Sequence, residues 1–249
     1  MNRFKSTLIP YILACGFLLL AWQAGSFFLR TEVLPGPASV LVSFTRLMAG
    51  VLGGHFLVSS YRVLASLFLA LIVGVPTGIV MGRMEQADAV LSPLVYLVYP
   101  LPKIAFLPLV LIVFGIGDGA RIFLIAFILF FQILVATRDA ARDIPREQVL
   151  SMRSLDANRR QKAIHLVLPA VLPNVLTSLR IGIGTAIAVL FFVESFATSR
   201  GLGYFILDAW SRLDYRDMYA GIVGMGLLGV LLYEGVEILD RWLCRWTRL

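Results

Sequence analysis

The sequence predicts an all-α membrane protein that crosses the bilayer six times. Only 15% of its 249 residues are charged and 59% are hydrophobic, whereas soluble proteins carry about 25% charged residues. The mean hydropathy is +0.87, and the apolar residues come in long blocks, as in chains whose solvent is lipid. A polar stretch at residues 151–169 (SMRSLDANRRQKAIHLVLP) interrupts these blocks past the midpoint.

Six segments are long and apolar enough to be membrane spans. The first, residues 8–29, contains no charged residue and is long enough to cross a hydrocarbon core of about 30 Å. Arg3 and Lys5 precede it, as in a signal peptide, but the block exceeds the usual length of about 7–15 residues and lacks small residues at its end, which favours an uncleaved span. The other five predicted spans are residues 60–82, 91–114, 122–137, 180–198 and 218–239.

Lysine and arginine are unevenly distributed between the two sides that these spans define. Of 22 such residues, thirteen fall on the side of the N-terminus and six on the other side, while Arg62, Lys103 and Arg180 lie within or beside spans. Because cytoplasmic loops are enriched in Lys and Arg, both termini and the polar stretch are predicted to be cytoplasmic. This enrichment also explains the net charge of +7, so nucleic-acid binding is not indicated.

The polar stretch and the residues just before it predict two short helices. Asp143 can cap the first, Pro145 suits its first turn, and residues 146–155 continue it. The pattern breaks at residues 155–158, where Asn158 can cap a second helix. Composition leaves two interpretations open: an amphipathic loop on lipid headgroups, or a docking element for a groove on a soluble partner.

Several sequence segments in a fixed order resemble one family of membrane transporters. RSLDANRRQKAIHLVLPAVLPNVLTSLRIGIG is similar to the cytoplasmic coupling loop of ATP-binding-cassette (ABC) importer permeases, and LPGPASV upstream and VESFATSRGLGYFI downstream resemble the nitrate/taurine/alkanesulfonate branch. This resemblance implies the type I importer (MetI-like) transmembrane fold. It makes residues 1–54 the first transmembrane helix and an external amphipathic segment, and residues 55–245 the permease domain with a coupling loop at about 143–168.

The coupling loop departs from the family motif, which is Glu-Ala-Ala, three residues, then Gly. The motif's glutamate falls on Leu150 and its glycine on Asp156. A glycine there would end a helix in the left-handed conformation, which Asp tolerates at a cost of roughly 1 kcal/mol. An atypical ATPase, or a heterodimer with an intact second permease, is therefore an alternative to a homodimer. The resemblance assigns ATPase coupling to Val149, Leu150, Met152, Arg153, Leu155, Asp156, Ala157, Asn158 and Arg159.

Polar residues within the spans are candidates for a translocation path. A charge near the bilayer centre costs about 2.5–3.5 kcal/mol, so it normally faces protein or water. Lys103 and Glu194 are predicted either to face the solute path or to form structural pairs. Tyr99, Gln132 and Ser195 could line the same path, although aromatic residues in spans are more often packing residues.

No catalytic or cofactor motif is present. The two cysteines and the two histidines are isolated, so neither a disulfide framework nor a metal site is indicated. None of the three lysines follows the spacing of a phosphate-binding loop. The chain is therefore not predicted to be an enzyme or to hold a cofactor, and ATP and magnesium are expected on a partner.

The resemblance implies a multi-pass permease subunit of an ABC importer in the cell inner membrane. Its expected partners are a cytoplasmic ABC ATPase dimer, a second permease copy, membrane lipid and an extracytoplasmic solute-binding protein that delivers a small anion such as a sulfonate, taurine or nitrate. Three alternatives stay open: import of a pyrimidine vitamin precursor or other aromatic solute, a self-sufficient secondary transporter, and a membrane scaffold. A secondary transporter should show internal repeats and several ionisable residues in its spans, and no convincing repeat is visible.

Overall fold

The structure is a computed structural model that describes residues 2–29 and 32–248. Arg30 and Thr31 of the predicted external segment lie outside the described residues, as do the side chains at positions 8, 9, 11 and 12 of the first predicted span. Every regular element in the described ranges is helical. The α-helices are α1 (Asn2–Leu29), α2 (Pro37–Met48), α3 (Val51–Arg83), α4 (Glu85–Val98), α5 (Leu107–Phe114), α6 (Asp118–Arg142), α7 (Arg146–Ser154), α8 (Arg159–Lys162), α9 (Leu168–Glu194), α10 (Leu202–Ser211) and α11 (Tyr215–Leu243).

Four helical segments of the described chain are straight, long and apolar enough to cross a membrane. They are α3, α6, α11 and the run Arg159–Glu194, and they confirm four of the six predicted spans. The run Arg159–Glu194 begins well before residue 180, because a π-helical turn at Ala163–Val167 joins α8 to α9. The first predicted span lies within α1, whose described apolar part is Leu13–Leu29.

The third predicted span, residues 91–114, is not one continuous helix in the structure but a bent pair that together is apolar enough for a span. The chain here forms α4 and the segment Lys103–Phe114, which are bent by 84° relative to each other. Pro100 and Pro102 lie in the break. Proline lacks a backbone donor and clashes with the preceding turn of a helix, so two prolines in three residues end α4 and place Lys103 at the bend.

The closest helix packing in the bundle joins α3 to α6. A Cβ atom added at Gly78 would lie 2.7 Å from the Cβ of Thr137, and one added at Gly82 would lie 2.7 Å from the Cβ of Ala141. Small residues spaced four apart let two helices approach until their backbones nearly touch. Larger residues at Gly78 and Gly82 would keep α3 and α6 further apart. The coupling loop follows the end of α6.

The predicted external amphipathic segment contains α2, which packs beside α11. The Ser43 hydroxyl is buried and donates a hydrogen bond to Asp217 Oδ1 at 2.6 Å. Val40 of α2 is also buried, while Leu41 and Val42 are exposed. The helix thus covers the end of α11 with one face.

Candidate functional site

The coupling loop begins where α6 ends, but its first helix is capped differently from the prediction. Asp143 does not cap α7; it is instead the C-cap residue of α6, where its backbone N–H donates to the Asp139 carbonyl at 3.0 Å. Pro145 occupies the N-cap position of α7, and no side chain caps that end. The sequence reading missed that α6 continues as far as Arg142.

The turn after α7 has the left-handed conformation predicted for Asp156. Its φ angle is 51°. The Asp156 N–H donates to the Arg153 carbonyl at 3.0 Å and the Ala157 N–H donates to the Met152 carbonyl at 3.1 Å, which is the pair of bonds that defines a Schellman motif. An aspartate therefore occupies a backbone position that favours glycine.

A second set of local hydrogen bonds starts α8. Asn158 Oδ1 accepts from the backbone N–H of Gln161 at 2.9 Å, and the backbone N–H of Asn158 donates to Gln161 Oε1 at 2.8 Å. This reciprocal arrangement is a capping box, and it confirms the predicted cap at Asn158. The loop between α7 and α8 therefore holds its shape through its own backbone and two polar side chains.

In α7 and the turn that follows it, the coupling loop presents two leucine side chains outward. Leu150 is 50% exposed and Leu155 is 76% exposed, whereas Val149 packs against the small core cluster that includes Ile144 and Val167. Met152 and Ala157 are half-buried, and Arg153, Asn158 and Arg159 are exposed. One face of the loop is thus fastened to the bundle, while the other is open and mixes leucine with charge.

Two of the predicted path residues, Tyr99 and Gln132, line one polar groove. It has a volume of about 400 Å³. The groove shares its lining residues Asp143 and Asn174 with a second cavity of about 430 Å³, which reaches Gln148 in α7. Two adjacent cavities with mixed polar and apolar linings therefore lie between Tyr99 and the coupling loop.

Lys103 lies beside this groove, at the break between α4 and α5. Its Nζ donates to the Tyr99 carbonyl at 2.7 Å and lies 5.2 Å from the centre of the Tyr99 ring and 4.9 Å from that of Phe131. Both ring distances suit cation–π contact. The fold thus places Lys103 against Tyr99, and Tyr99 shares the lining of one groove with Gln132; the sequence analysis had named the three residues separately.

Glu194 and Ser195 lie far along the chain from this groove, at the opposite end of the bundle. Glu194 is fully buried; it accepts hydrogen bonds from the Ser59 hydroxyl at 2.8 and 2.9 Å and from the Gly203 N–H at 3.0 Å. Its carboxylate also pairs with Arg62 at 2.8 Å. Ser195 donates to the Phe191 carbonyl at 2.7 Å.

Sequence reasoning missed the buried partners around Glu194. Arg62 donates twice to Asp118 Oδ1, at 2.6 and 2.8 Å, and once to the Arg200 carbonyl at 2.8 Å. Arg121, assigned to a loop by the sequence, is 2% exposed in α6 and donates to backbone carbonyls that include Val193 and Ala197. The signal was an Asp–Arg pair three residues apart at the start of an apolar helix. These residues, Ser59, Arg62, Asp118, Arg121 and Glu194, are called the Glu194 network below.

A second missed pair lies near the coupling loop. Arg138 was counted as a cytoplasmic loop residue, yet it is buried within α6 and contacts Asp88 of α4. No spacing in the sequence links two residues that are 50 positions apart. Only the packing of α4 beside α6 joins them.

Comparison with known proteins identifies relatives of both the fold and the sequence. The inward-facing methionine ABC transporter MetNI contains a chain that superposes with a TM-score of 0.65 at 18% identity, over 79% of this chain and 97% of that one; this likeness concerns the fold. The taurine transport system permease protein TauC of Escherichia coli is 33% identical over 86% of this chain and 80% of its own length. The bicarbonate transport system permease protein CmpB of Synechococcus elongatus is 32% identical over 98% of this chain and 92% of its own.

A putative aliphatic sulfonates transport permease protein, SsuC of Bacillus subtilis, is 29% identical over 97% of this chain and 87% of its own length. Residues 74–249 match the family model described as the inner membrane component of binding-protein-dependent transport systems. Family, fold and the order of the helices thus agree with the resemblance seen in the sequence. The chain belongs to the family of binding-protein-dependent transport system inner membrane components.

Proposed function

We propose that this chain is the permease subunit of an ABC importer for a small anion, and that ATP is hydrolysed on a separate cytoplasmic chain. One observation carries the proposal: the coupling loop fixes its own turn at Asp156 yet leaves Leu150 and Leu155 exposed. Apolar side chains at the centre of a polar, protruding surface are typical of contacts with another protein. A partner that covers both leucines is therefore expected.

The proposed partner at this loop is a dimer of ABC ATPase subunits, which would hold ATP and magnesium. Closing of the ATPase dimer would pull on the coupling loops of two permease copies and favour one of two permease states. A ligand shifts such an equilibrium only by its differential affinity for the two states, so ATP must bind more tightly when the loops are in one position. This scheme needs no nucleotide site in the permease.

We propose that the polar groove, with Lys103, Tyr99 and Gln132, forms this copy's half of the translocation path. An anion in a low-dielectric path needs a positive or hydrogen-bonding partner, and Lys103 provides a primary amine beside the groove. Glu194 and Ser195 are proposed to hold their helix end rather than to meet solute, because neighbouring groups already engage their polar atoms. The second permease subunit is proposed to be identical to this one. Because Asp156 occupies the glycine position of the family motif, a heterodimer is the alternative that the experiment tests.

The anionic substrate class is supported by the names of the relatives, which specify taurine, aliphatic sulfonates and bicarbonate. Taurine and alkanesulfonates share a sulfonate group that stays charged at neutral pH. Both termini and the coupling loop are proposed to be cytoplasmic, with a solute-binding protein on the opposite face. The thirteen-to-six distribution of Lys and Arg supports this orientation.

The decisive experiment is solute-stimulated ATP hydrolysis. The tagged chain is purified from its host in mild detergent, with co-purifying subunits identified and their masses measured, and is then reconstituted with its binding protein. Taurine, alkanesulfonates, nitrate and bicarbonate are compared with an uncharged aromatic solute. We expect a stoichiometric ATPase and stimulation by one of the anions. A preparation that lacks an ATPase, yet drives uptake by an ion gradient, would contradict the proposal.

A further inference from the structure

Arg138 and Asp88 form a forked contact between α6 and α4. Arg138 Nε donates to Asp88 Oδ1 at 2.5 Å and Nη2 donates to Oδ2 at 2.9 Å. The side chains are only 10% and 21% exposed. Two parallel hydrogen bonds between a guanidinium and a carboxylate fix orientation as well as distance, so this contact sets how α4 is rotated against α6.

The residues around this contact lie on one face of α4. The Ser92 hydroxyl, one turn after Asp88, donates to Asp88 Oδ1 at 2.7 Å. One turn further, the Tyr96 hydroxyl accepts from Arg138 Nη1 at 3.3 Å, and its ring centre lies 5.9 Å from the guanidinium carbon. Residues spaced by four share a helix face. A single arginine is thus connected to two turns of α4.

The other contacts of α4 are mainly apolar and include Met81 of α3. A small apolar cluster, in which Val95 meets Phe131 and Leu134, lies beside an apolar cavity of about 180 Å³ between α3, α4 and α6. Leu94, which lines this cavity, and Leu97 are 57% and 70% exposed. This packing contrasts with the glycine contacts between α3 and α6, and the forked ion pair is the polar contact that joins α4 to α6.

The position of the pair along both helices suggests its role. Arg138 lies five residues before Asp143, where α6 gives way to the coupling loop, and α4 leads in the other direction to the bend with Lys103. We infer that the Arg138–Asp88 ion pair is a positioning contact that makes α4 move together with the coupling end of α6. It thereby keeps Tyr99 and Lys103 in register with Gln132 when the loop is displaced. The inference rests on the proposed importer function.

The test is a double-mutant cycle in reconstituted complexes with Asp88→Asn, Arg138→Gln and both changes together. Each single variant should assemble with the ATPase and keep basal ATP hydrolysis near the parent value. Solute uptake per ATP should fall about tenfold, within the range of measured couplings between sites. The double variant should be no worse than either single one, because both changes remove the same contact.

Two matched variants control for charge and for folding. Arg142→Gln removes an arginine that is 67% exposed and lies 3.8 Å from the same carboxylate, and it should leave uptake per ATP unchanged. Asp88→Glu keeps the carboxylate and should lose less coupling than Asp88→Asn. The thermal midpoint of every complex is measured, because a merely structural role would lower the midpoint and basal hydrolysis along with uptake.

Three results would overturn the inference: parent-level uptake per ATP in both single variants, additive losses in the double variant, or losses that track the thermal midpoint. The parent complex is assayed in the same preparations. If the parent neither binds an ATPase nor couples hydrolysis to uptake, the proposed function fails. If the parent couples and the variants do too, only the positioning role fails.

Discussion

The two ends of the helix bundle treat polar groups in opposite ways. In the Glu194 network, Arg62, Arg121 and Glu194 are almost completely buried, and their partners lie in the same chain. In the coupling loop, Leu155 and Arg159 are exposed, and the turn is held by local hydrogen bonds alone. The polar groups of the Glu194 network are paired within this chain. The coupling loop has a fixed turn but exposed leucines, as expected of a surface that a partner binds.

The largest effect should come from opening the Glu194 network. Glu194→Ala leaves Arg62 buried without one of its two carboxylates, and removing one partner of a buried ion pair costs about 3–5 kcal/mol. The free energy of unfolding in mixed micelles measures this loss. Arg46→Ala is the control, since Arg46 is 73% exposed and 4.0 Å from Asp217. If the two variants had the same free energy of unfolding, the Glu194 network would not be the stabilising feature of its end of the bundle.

The next effect should appear at the coupling loop without any loss of stability. Leu155→Asp places a charge where the proposed ATPase surface would cover an apolar side chain, and it should weaken ATPase binding about thirtyfold, as expected for an interface hot spot. Binding is measured by titrating the ATPase onto the detergent-solubilised variant. Leu213→Asp changes a leucine of similar exposure, 68%, at the other end. If both variants bind the ATPase like the parent, Leu155 is not at the interface.

A smaller loss is expected when the capping box is broken. Asn158→Ala removes the acceptor for the Gln161 N–H, and loss of such a cap costs about 1 kcal/mol locally. Hydrogen exchange should become faster in residues 159–162 and stay unchanged in α3. Unchanged exchange at both places would show that tertiary contacts, rather than the cap, hold α8.

The smallest effect is a gain. Asp156→Gly relieves a left-handed residue, φ 51°, and should stabilise the loop by up to about 1 kcal/mol. Solute-stimulated ATP hydrolysis should be unchanged or higher. A collapse of stimulated hydrolysis with normal ATPase binding would reveal that the aspartate side chain makes a contact of its own with the partner.

Helix class, most spans and the coupling turn were accessible to sequence reasoning because each depends on neighbours in the chain. The left-handed residue at 156 was expected from the glycine of the family motif, the cap at Asn158 was expected from the local residue pattern, and both were confirmed. The third predicted span is bent where Pro100 and Pro102 break the helix, and hydropathy alone does not place that bend because it only counts apolar residues. The predicted cap at Asp143 was wrong because α6 continues to Arg142 and makes Asp143 its own C-cap residue, so α7 begins only after Pro145.

The sequence by itself determined that this is a membrane protein, that its chain is helical, and that a polar loop follows the fourth predicted span. Long apolar blocks and a capping pattern are sufficient for these conclusions, since their physical causes act within a few turns. Only the tertiary structure decided that Glu194 pairs with Arg62, that Lys103 lies at a helix break against Tyr99, and that Arg138 pairs with Asp88. These contacts join residues far apart in the chain, and their energies depend on burial that exists only once the helices have packed.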